Sequence, residues 1–217
     1  MKKHLYFVSG TGANSKIFER INLPAEQFEM HFLEWMLPNS KNETIASYAA
    51  RMCEKIQHPS PILVGVSFGG IMVQEMSKII PCEKIILISS IKNKYELSKK
   101  LKFIRDTKAY LLAPSSQIGR IENFISFIFG DKSKKRIQAY REYLSVRNPL
   151  YISWAIKQTL IWKQAEALPN TIHLHGDQDP IFPIAFIKDC IIITKGSHIM
   201  IITKAKKINS ILLENLQ

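Results

Sequence analysis

A serine, an aspartate and a histidine each follow a predicted strand, in the order Ser67, Asp179, His198. A serine hydroxyl becomes a useful nucleophile when a base takes its proton and a carboxylate fixes the tautomer of that base. All strands of a parallel sheet end at the same edge, so the three side chains can converge although they lie far apart in sequence. This pattern indicates nucleophilic chemistry, with Ser67 as nucleophile, His198 as base and Asp179 as the acid group.

The stretch around the serine reads Gly65-x-Ser67-x-Gly69, between a short apolar run and a helix-like pattern of apolar residues. It predicts a strand, a tight turn and a helix, with the serine raised above the edge of the sheet. Glycine is required at positions 65 and 69 because a side chain there would collide with the neighbouring strand or helix. The same pattern also arises by chance. A plain turn whose serine caps the helix is the alternative that this stretch alone leaves open.

The predicted elements that position these residues alternate between strand and helix. Strands are expected over residues 4–10, 28–35, 84–90, 171–175 and 190–195, together with the central strand that ends at the serine turn. Amphipathic helices lie between them, and a closing helix is expected over residues 203–215. This alternation predicts an α/β fold with a mostly parallel sheet of about six strands flanked by helices, in one domain that spans residues 1–217.

One segment, residues 91–163, interrupts the alternation with a long aromatic stretch of helical character, and we interpret it as an insertion within the domain. It holds 16 lysines and arginines against 5 acidic residues, whereas the rest of the chain holds 14 against 13. Nearly all of the net charge of +12 therefore lies in this segment. The charge could form a solvated face or could attract anionic substrates. A nucleic-acid partner is not expected, because zinc-finger spacings, helix-turn-helix signatures and RNP-like strands are absent from the sequence.

The sequence has none of the features typical of membrane-spanning, secreted or cofactor-binding proteins. No apolar run approaches the roughly 18 residues of a membrane span, and the apolar stretch after Met1 is too short for a signal peptide. The three cysteines lie far apart, which is typical of reduced thiols in a cytoplasmic protein: Cys53, Cys82 and Cys190. The sequence has no metal-ligand spacing, dinucleotide fingerprint or phosphate loop, so we expect no cofactor and no metal.

One other aspartate and five other histidines have to be compared with the three candidate catalytic residues. Asp177 lies nearer the end of its strand than Asp179 and is the alternative acid group. Structural roles are expected for five further histidines, which lie in or beside strands, in a proline-rich turn or behind the acid loop: His4, His31, His58, His173 and His175.

Four segments occur in an order that resembles the α/β-hydrolase superfamily over almost the whole chain. They are Ser9-Gly10-Thr11-Gly12, Gly65-Val66-Ser67-Phe68-Gly69-Gly70, His175-Gly176-x-x-Asp179-x-x-x-Pro183 and Gly196-Ser197-His198. The combination is similar to small carboxylesterases and thioesterase-like members with a helical lid, here residues 91–163. The resemblance implies a version that is trimmed at its N-terminus and starts at what the family counts as its third strand.

The resemblance also implies roles for individual residues. Ser67 would attack an acyl carbon, His198 would carry the proton, and Asp179, which matches the family spacing to Pro183, would orient the imidazole. The N–H groups of Phe68 and Thr11 would form the oxyanion hole. The implied function is hydrolysis of an ester or thioester of a small or medium acyl group through an acyl-enzyme. Separately from the resemblance, the basic charge of residues 91–163 could attract acyl groups linked to coenzyme A or a carrier protein, or could dock on acidic lipid headgroups. Lyase or perhydrolase chemistry, or a ligand-binding module, are the alternatives.

Overall fold

The computed structural model of the protein describes residues 2–111 and 142–216. Six strands form one sheet in which every neighbouring pair is parallel, in the order β2-β1-β3-β4-β5-β6. They are β1 (Lys3–Val8), β2 (Phe28–Leu33), β3 (Ile62–Val66), β4 (Lys84–Ile88), β5 (Thr171–Gly176) and β6 (Ile191–Ile193). The predicted α/β class and strand count are confirmed, and the strands differ from the expected bounds by only a few residues at their ends.

Six α-helices are described between and after the strands. They are α1 (Ile45–Cys53), α2 (Phe68–Met76), α3 (Lys99–Asp106), α4 (Pro149–Ile161), α5 (Met200–Thr203) and α6 (Ala205–Leu216). Several of these helices begin at a residue whose side chain caps the first turn. The Thr44 hydroxyl, for example, accepts a hydrogen bond from the Ser47 N–H at 3.1 Å and so caps α1. Among the described residues, no helix is both long and apolar enough to cross a lipid bilayer.

The sheet is covered on both faces, because side chains alternate in direction along each strand. On β1, Leu5 and Phe7 join the core that packs against α5 and α6, whereas Tyr6 and Val8 join the core that packs against α1, α2 and α4. The central strand β3 is buried along its whole length. This double burial explains its near-continuous apolar sequence.

The interrupting segment lies between β4 and β5, as expected, and α3 and α4 are its described parts. Residues 112–141, its middle, lie outside the described residues. Helix α4 packs into the core: Tyr151 and Trp154 are buried, and Trp154 Nε1 donates a hydrogen bond to the Glu43 carbonyl at 2.8 Å. The assignment of residues 91–163 as a lid within a single domain stays a prediction.

The turn between β3 and α2 brings backbone segments very close together. A Cβ atom added to Gly65 would lie 2.3 Å from the Gly69 carbonyl oxygen, and one added to Gly69 would lie 2.2 Å from the Val8 carbonyl oxygen. Ser67 between them has φ 54° and ψ −120°, a conformation that costs on the order of 1–3 kcal/mol. The Ser90 hydroxyl donates to the Ser67 carbonyl at 2.7 Å and helps to hold it there.

The first prediction concerns this close contact. Gly65→Ala should lower the free energy of unfolding by about 2 kcal/mol or more, because its Cβ would meet backbone atoms that cannot move aside. Gly10→Ala is the matched control, since its Cβ would lie 3.3 Å from its nearest neighbour, the Ser67 Cβ. Urea unfolding of both variants measures the difference, and an equal loss in the two would contradict it.

Candidate active site

The structure brings Ser67, His198 and Asp179 together at the carboxyl edge of the sheet. Ser67 follows β3, Asp179 follows β5 and His198 follows β6. His198 Nε2 lies 2.9 Å from Ser67 Oγ, and His198 Nδ1 lies 2.8 Å from Asp179 Oδ2. When Nδ1–H donates to the carboxylate, Nε2 has a free lone pair and can accept the serine proton. The three side chains therefore form one hydrogen-bonded row.

The Asp179 carboxylate is fixed from both sides. Its Oδ1 accepts hydrogen bonds from the Ile181 and Phe182 N–H groups at 2.8 Å and 3.0 Å. Burial alone would raise the pKa of this carboxyl, but the charge and hydrogen bond of His198 and the Phe182 N–H lower the pKa below its ordinary value. Asp179 is therefore ionised at neutral pH although its side chain is completely buried.

Asp177, the alternative acid group, does not meet His198. Its Oδ1 is buried and has no hydrogen-bond partner among the described residues. Its N–H donates to the Ile193 carbonyl at 3.3 Å, which places it beside β6. Of the two candidate aspartates, only Asp179 has a hydrogen bond to the imidazole in the described part of the chain.

A buried histidine supports the acid loop from behind. His175 Nε2 lies 2.7 Å from the Phe182 carbonyl and 3.6 Å from Asp179 Oδ2, and its Nδ1 lies 3.2 Å from His173 Nε2. Burial lowers the pKa of His175, so the ring is neutral and its Nε2–H donates to the carbonyl. The structural role expected for His175 is therefore observed. Its distance of four residues from Asp179 was the sequence signal for this contact.

Two backbone N–H groups belong to segments that lie next to Ser67. Phe68 is the first residue of α2, and the loop at Gly10 is so close that its added Cβ would lie 3.3 Å from the Ser67 Cβ. Within residues 2–111 and 142–216, neither the Phe68 nor the Thr11 N–H has a hydrogen-bond acceptor. These two N–H groups can therefore donate to a negatively charged oxygen at the serine.

Comparison of the sequence with known proteins finds no match. No protein-family model matches this chain, and no curated protein matches it either. Solved structures do match. An esterase from Thermogutta terrifontis has a TM-score of 0.72 at 14% identity, over 100% of this chain and 90% of its own. An esterase from Exiguobacterium antarcticum has a TM-score of 0.63 at 16% identity, over 98% of this chain and 91% of its own. A bromoperoxidase from Bacillus anthracis has a TM-score of 0.70 at 16% identity, over 100% of this chain and 92% of its own.

The chain has the α/β-hydrolase fold. This agrees with the family resemblance noted from the four sequence segments. At these identities the likeness shows the fold alone, and the chemistry has to be argued from the site.

Contacts that the sequence analysis missed hold the loop with Thr11 in this α/β-hydrolase fold. Trp35 Nε1 donates to the Gly10 carbonyl at 3.1 Å, and the Val146 N–H donates to the Gly12 carbonyl at 3.1 Å. The Trp35 ring also stacks on Phe68 with their centroids 5.3 Å apart. The same tryptophan thus fixes both segments that carry the free N–H groups. Trp35 contacts segments that lie far from it in sequence, so no short sequence motif predicts these contacts.

The second prediction follows from the buried imidazoles. Burial places the pKa of His175 below 6.5 and that of His173 well below it, so the unfolded chain binds protons that the folded chain does not. The free energy of unfolding should fall as pH drops below 6.5, by up to about 1.4 kcal/mol per pH unit for His173, and His175 should add to the loss until pH reaches its own lowered pKa. Urea unfolding between pH 7.5 and about pH 5.5 measures this.

The variant His173→Asn removes one of the two groups and should flatten the pH dependence. Comparing the slopes of the variant and the parent isolates the histidine from other groups that titrate. Identical slopes would contradict the prediction.

Proposed function

We propose that this protein is a serine hydrolase that cleaves an ester or thioester of a small or medium acyl group through an acyl-enzyme on Ser67. The observation that supports this best is the hydrogen-bonded row of Ser67, His198 and Asp179 at distances of 2.9 Å and 2.8 Å. A serine that is hydrogen-bonded to an imidazole, itself oriented by a buried carboxylate, is an activated nucleophile.

In the proposed reaction, Ser67 Oγ forms a bond to the acyl carbon while His198 Nε2 takes its proton. The carbonyl oxygen becomes an oxyanion and accepts hydrogen bonds from the Phe68 and Thr11 N–H groups. His198 then gives the proton to the leaving group as the bond between that group and the acyl carbon breaks. A water molecule, activated by the same imidazole, attacks the acyl-enzyme and releases the acid and free Ser67.

The buried carboxylate contributes by orientation and charge. Asp179 accepts the Nδ1–H of His198, keeps Nε2 unprotonated in the resting state and stabilises the imidazolium that forms when the proton arrives. Its lowered pKa keeps the Asp179 carboxylate ionised at neutral pH. Each oxyanion donor is typically worth on the order of 10²–10³ in rate.

A basic hollow at the base of the predicted lid supports anionic substrates within this class. It is an open surface hollow of about 510 Å³ between the segment after β4, helix α3 and the end of α4. Four cationic side chains line it together with Tyr95, Ile161 and Trp162: Lys94, Lys102, Arg105 and Lys163. Phosphate groups of a coenzyme A or carrier-linked thioester match this combination of cations and aromatic rings. A solvated basic face is the competing explanation of the same charge.

The third prediction uses the two aspartates of the acid loop as a matched pair. Asp179→Asn should lower kcat for p-nitrophenyl ester hydrolysis by about 10⁴, because the imidazole loses its orienting carboxylate. Asp177→Asn should retain most of the activity, since this side chain has no contact with His198 among the described residues. Assays over an ester series from acetate to palmitate, with Ser67→Ala as the inactive control, measure both effects.

The opposite ranking of the two variants would remove Asp179 from the mechanism. The hydrolase proposal is wrong if the folded protein hydrolyses none of the esters and a fluorophosphonate probe does not label Ser67. That result would favour a ligand-binding function. Labelling without hydrolysis would instead favour lyase or perhydrolase chemistry.

The fourth prediction concerns the basic hollow. The double variant Lys102→Gln/Arg105→Gln should lower kcat/KM for an acyl-CoA by about tenfold and leave a neutral p-nitrophenyl ester unaffected. Raising the salt concentration should weaken acyl-CoA turnover in the parent protein in the same selective way. Lys55→Gln, an exposed lysine just after α1, is the control. Equal effects on both substrates would leave the charge as a solvated face.

A further inference from the structure

Three histidines and a glutamate meet near the amino ends of the first strands, away from Ser67. His4 lies on β1, Glu29 and His31 lie on β2, and His58 lies in the loop that leads into β3. The strand register pairs His4 with Glu29, which places their side chains on the same face of the sheet. Ser67 follows the carboxyl end of β3, so this group, here called the histidine cluster, lies towards the opposite edge of the sheet.

The distances within the histidine cluster resemble those of a ligand set. His4 Nδ1 lies 3.1 Å from His31 Nε2, and the Glu29 carboxylate oxygens lie 3.7 Å from His4 Nδ1 and 3.9 Å from His31 Nε2. One ligand nitrogen from each of the three histidines lies within 4.8 Å of the other two. Two ligand atoms that are each about 2.1 Å from a tetrahedral ion lie about 3.4 Å apart. The separations among His4, His31 and Glu29 bracket that value, and a His58 nitrogen lies within 4.8 Å of the two histidines.

His58 has a partner that can orient it as a ligand. Its Nδ1 lies 2.7 Å from the Tyr6 hydroxyl oxygen, which also accepts the Gln57 N–H at 3.1 Å. When Nδ1–H donates to that oxygen, Nε2 keeps a lone pair for a metal, as in the outer shell of many histidine sites. The His58 ring stacks on His4 with centroids 3.5 Å apart, so binding would require it to turn out of the stack about its contact with Tyr6.

The donor types of the cluster also suit a metal cation. A neutral imidazole presents the lone pair that a metal needs, and the glutamate adds negative charge. Imidazole and carboxylate ligands together suit borderline dications such as Zn²⁺, Co²⁺ and Ni²⁺.

We propose that His4, His31, His58 and Glu29 bind one transition-metal dication of the zinc class. The ion would join β1, β2 and the loop before β3, the strand that carries Ser67, and it would stabilise the fold without taking part in acyl transfer. The sequence gives no sign of this site, because its ligands come from three separate segments without a metal-binding spacing. The proposal departs from the sequence-based expectation of no metal.

The test uses the full chain without a histidine tag, treated with a chelator and with its two partly exposed thiols, Cys82 and Cys190, alkylated. Titration with Co²⁺ should produce visible absorption that saturates at one ion per chain, and Zn²⁺ should displace it. Binding should weaken as pH falls below about 6, because protonated imidazoles cannot ligate. Added Zn²⁺ should raise the Tm of the alkylated protein.

Variants decide whether the histidine cluster is the site. His31→Asn and His4→Asn should each weaken Co²⁺ binding at least tenfold, and His58→Gln should do the same from a loop position where folding is least at risk. Glu34→Gln, an exposed carboxylate just after β2, should bind like the parent. Absence of Co²⁺ binding, or binding that survives in all three histidine variants with unchanged circular dichroism, would overturn the proposal.

Discussion

The close backbone contact between Gly65 and Gly69 is the constraint on which the geometry of the candidate active site depends. It forces the chain to turn between β3 and α2 within a few residues, with Ser67 at a positive φ of 54°. The hydroxyl therefore projects from the carboxyl edge of the sheet, and among the described residues the first N–H of α2 has no hydrogen-bond acceptor. The strain is compensated by burial of β3 on both faces and by the hydrogen bond from the Ser90 hydroxyl to the Ser67 carbonyl.

The acid and base residues depend on a second buried network. Asp179 keeps its charge in the protein interior because two backbone N–H groups and His198 compensate for the lost hydration. Neutral His175 donates to the carbonyl of Phe182, whose N–H donates to Asp179. The acid loop is thus fixed through hydrogen bonds, and the His198 ring packs edge-on against the Phe182 ring. The resulting geometry places Nε2 at the serine without further adjustment.

Much of this site could be predicted from the sequence because it follows short-range rules. The glycine spacing in Gly65-x-Ser67-x-Gly69 predicts the tight turn that holds the serine. The strands of a parallel sheet end at a common edge, which brings Asp179 and His198 to this turn. The role of Trp35 could not be predicted, since it depends on packing between segments far apart in the chain. The histidine cluster was missed for the same reason: strand register, rather than spacing, brings its residues together. The family spacing to Pro183 favoured Asp179 over Asp177, and in the described part of the chain only Asp179 has a hydrogen bond to His198.

The most direct measurement of acyl transfer through Ser67 is rapid mixing with p-nitrophenyl acetate, followed by mass spectrometry of the quenched protein. The proposed mechanism predicts a burst of p-nitrophenol of up to one equivalent per chain, and an acetyl group on the peptide that contains Ser67. Turnover with the acetyl group on another residue, or hydrolysis that persists in Ser67→Ala, would contradict it.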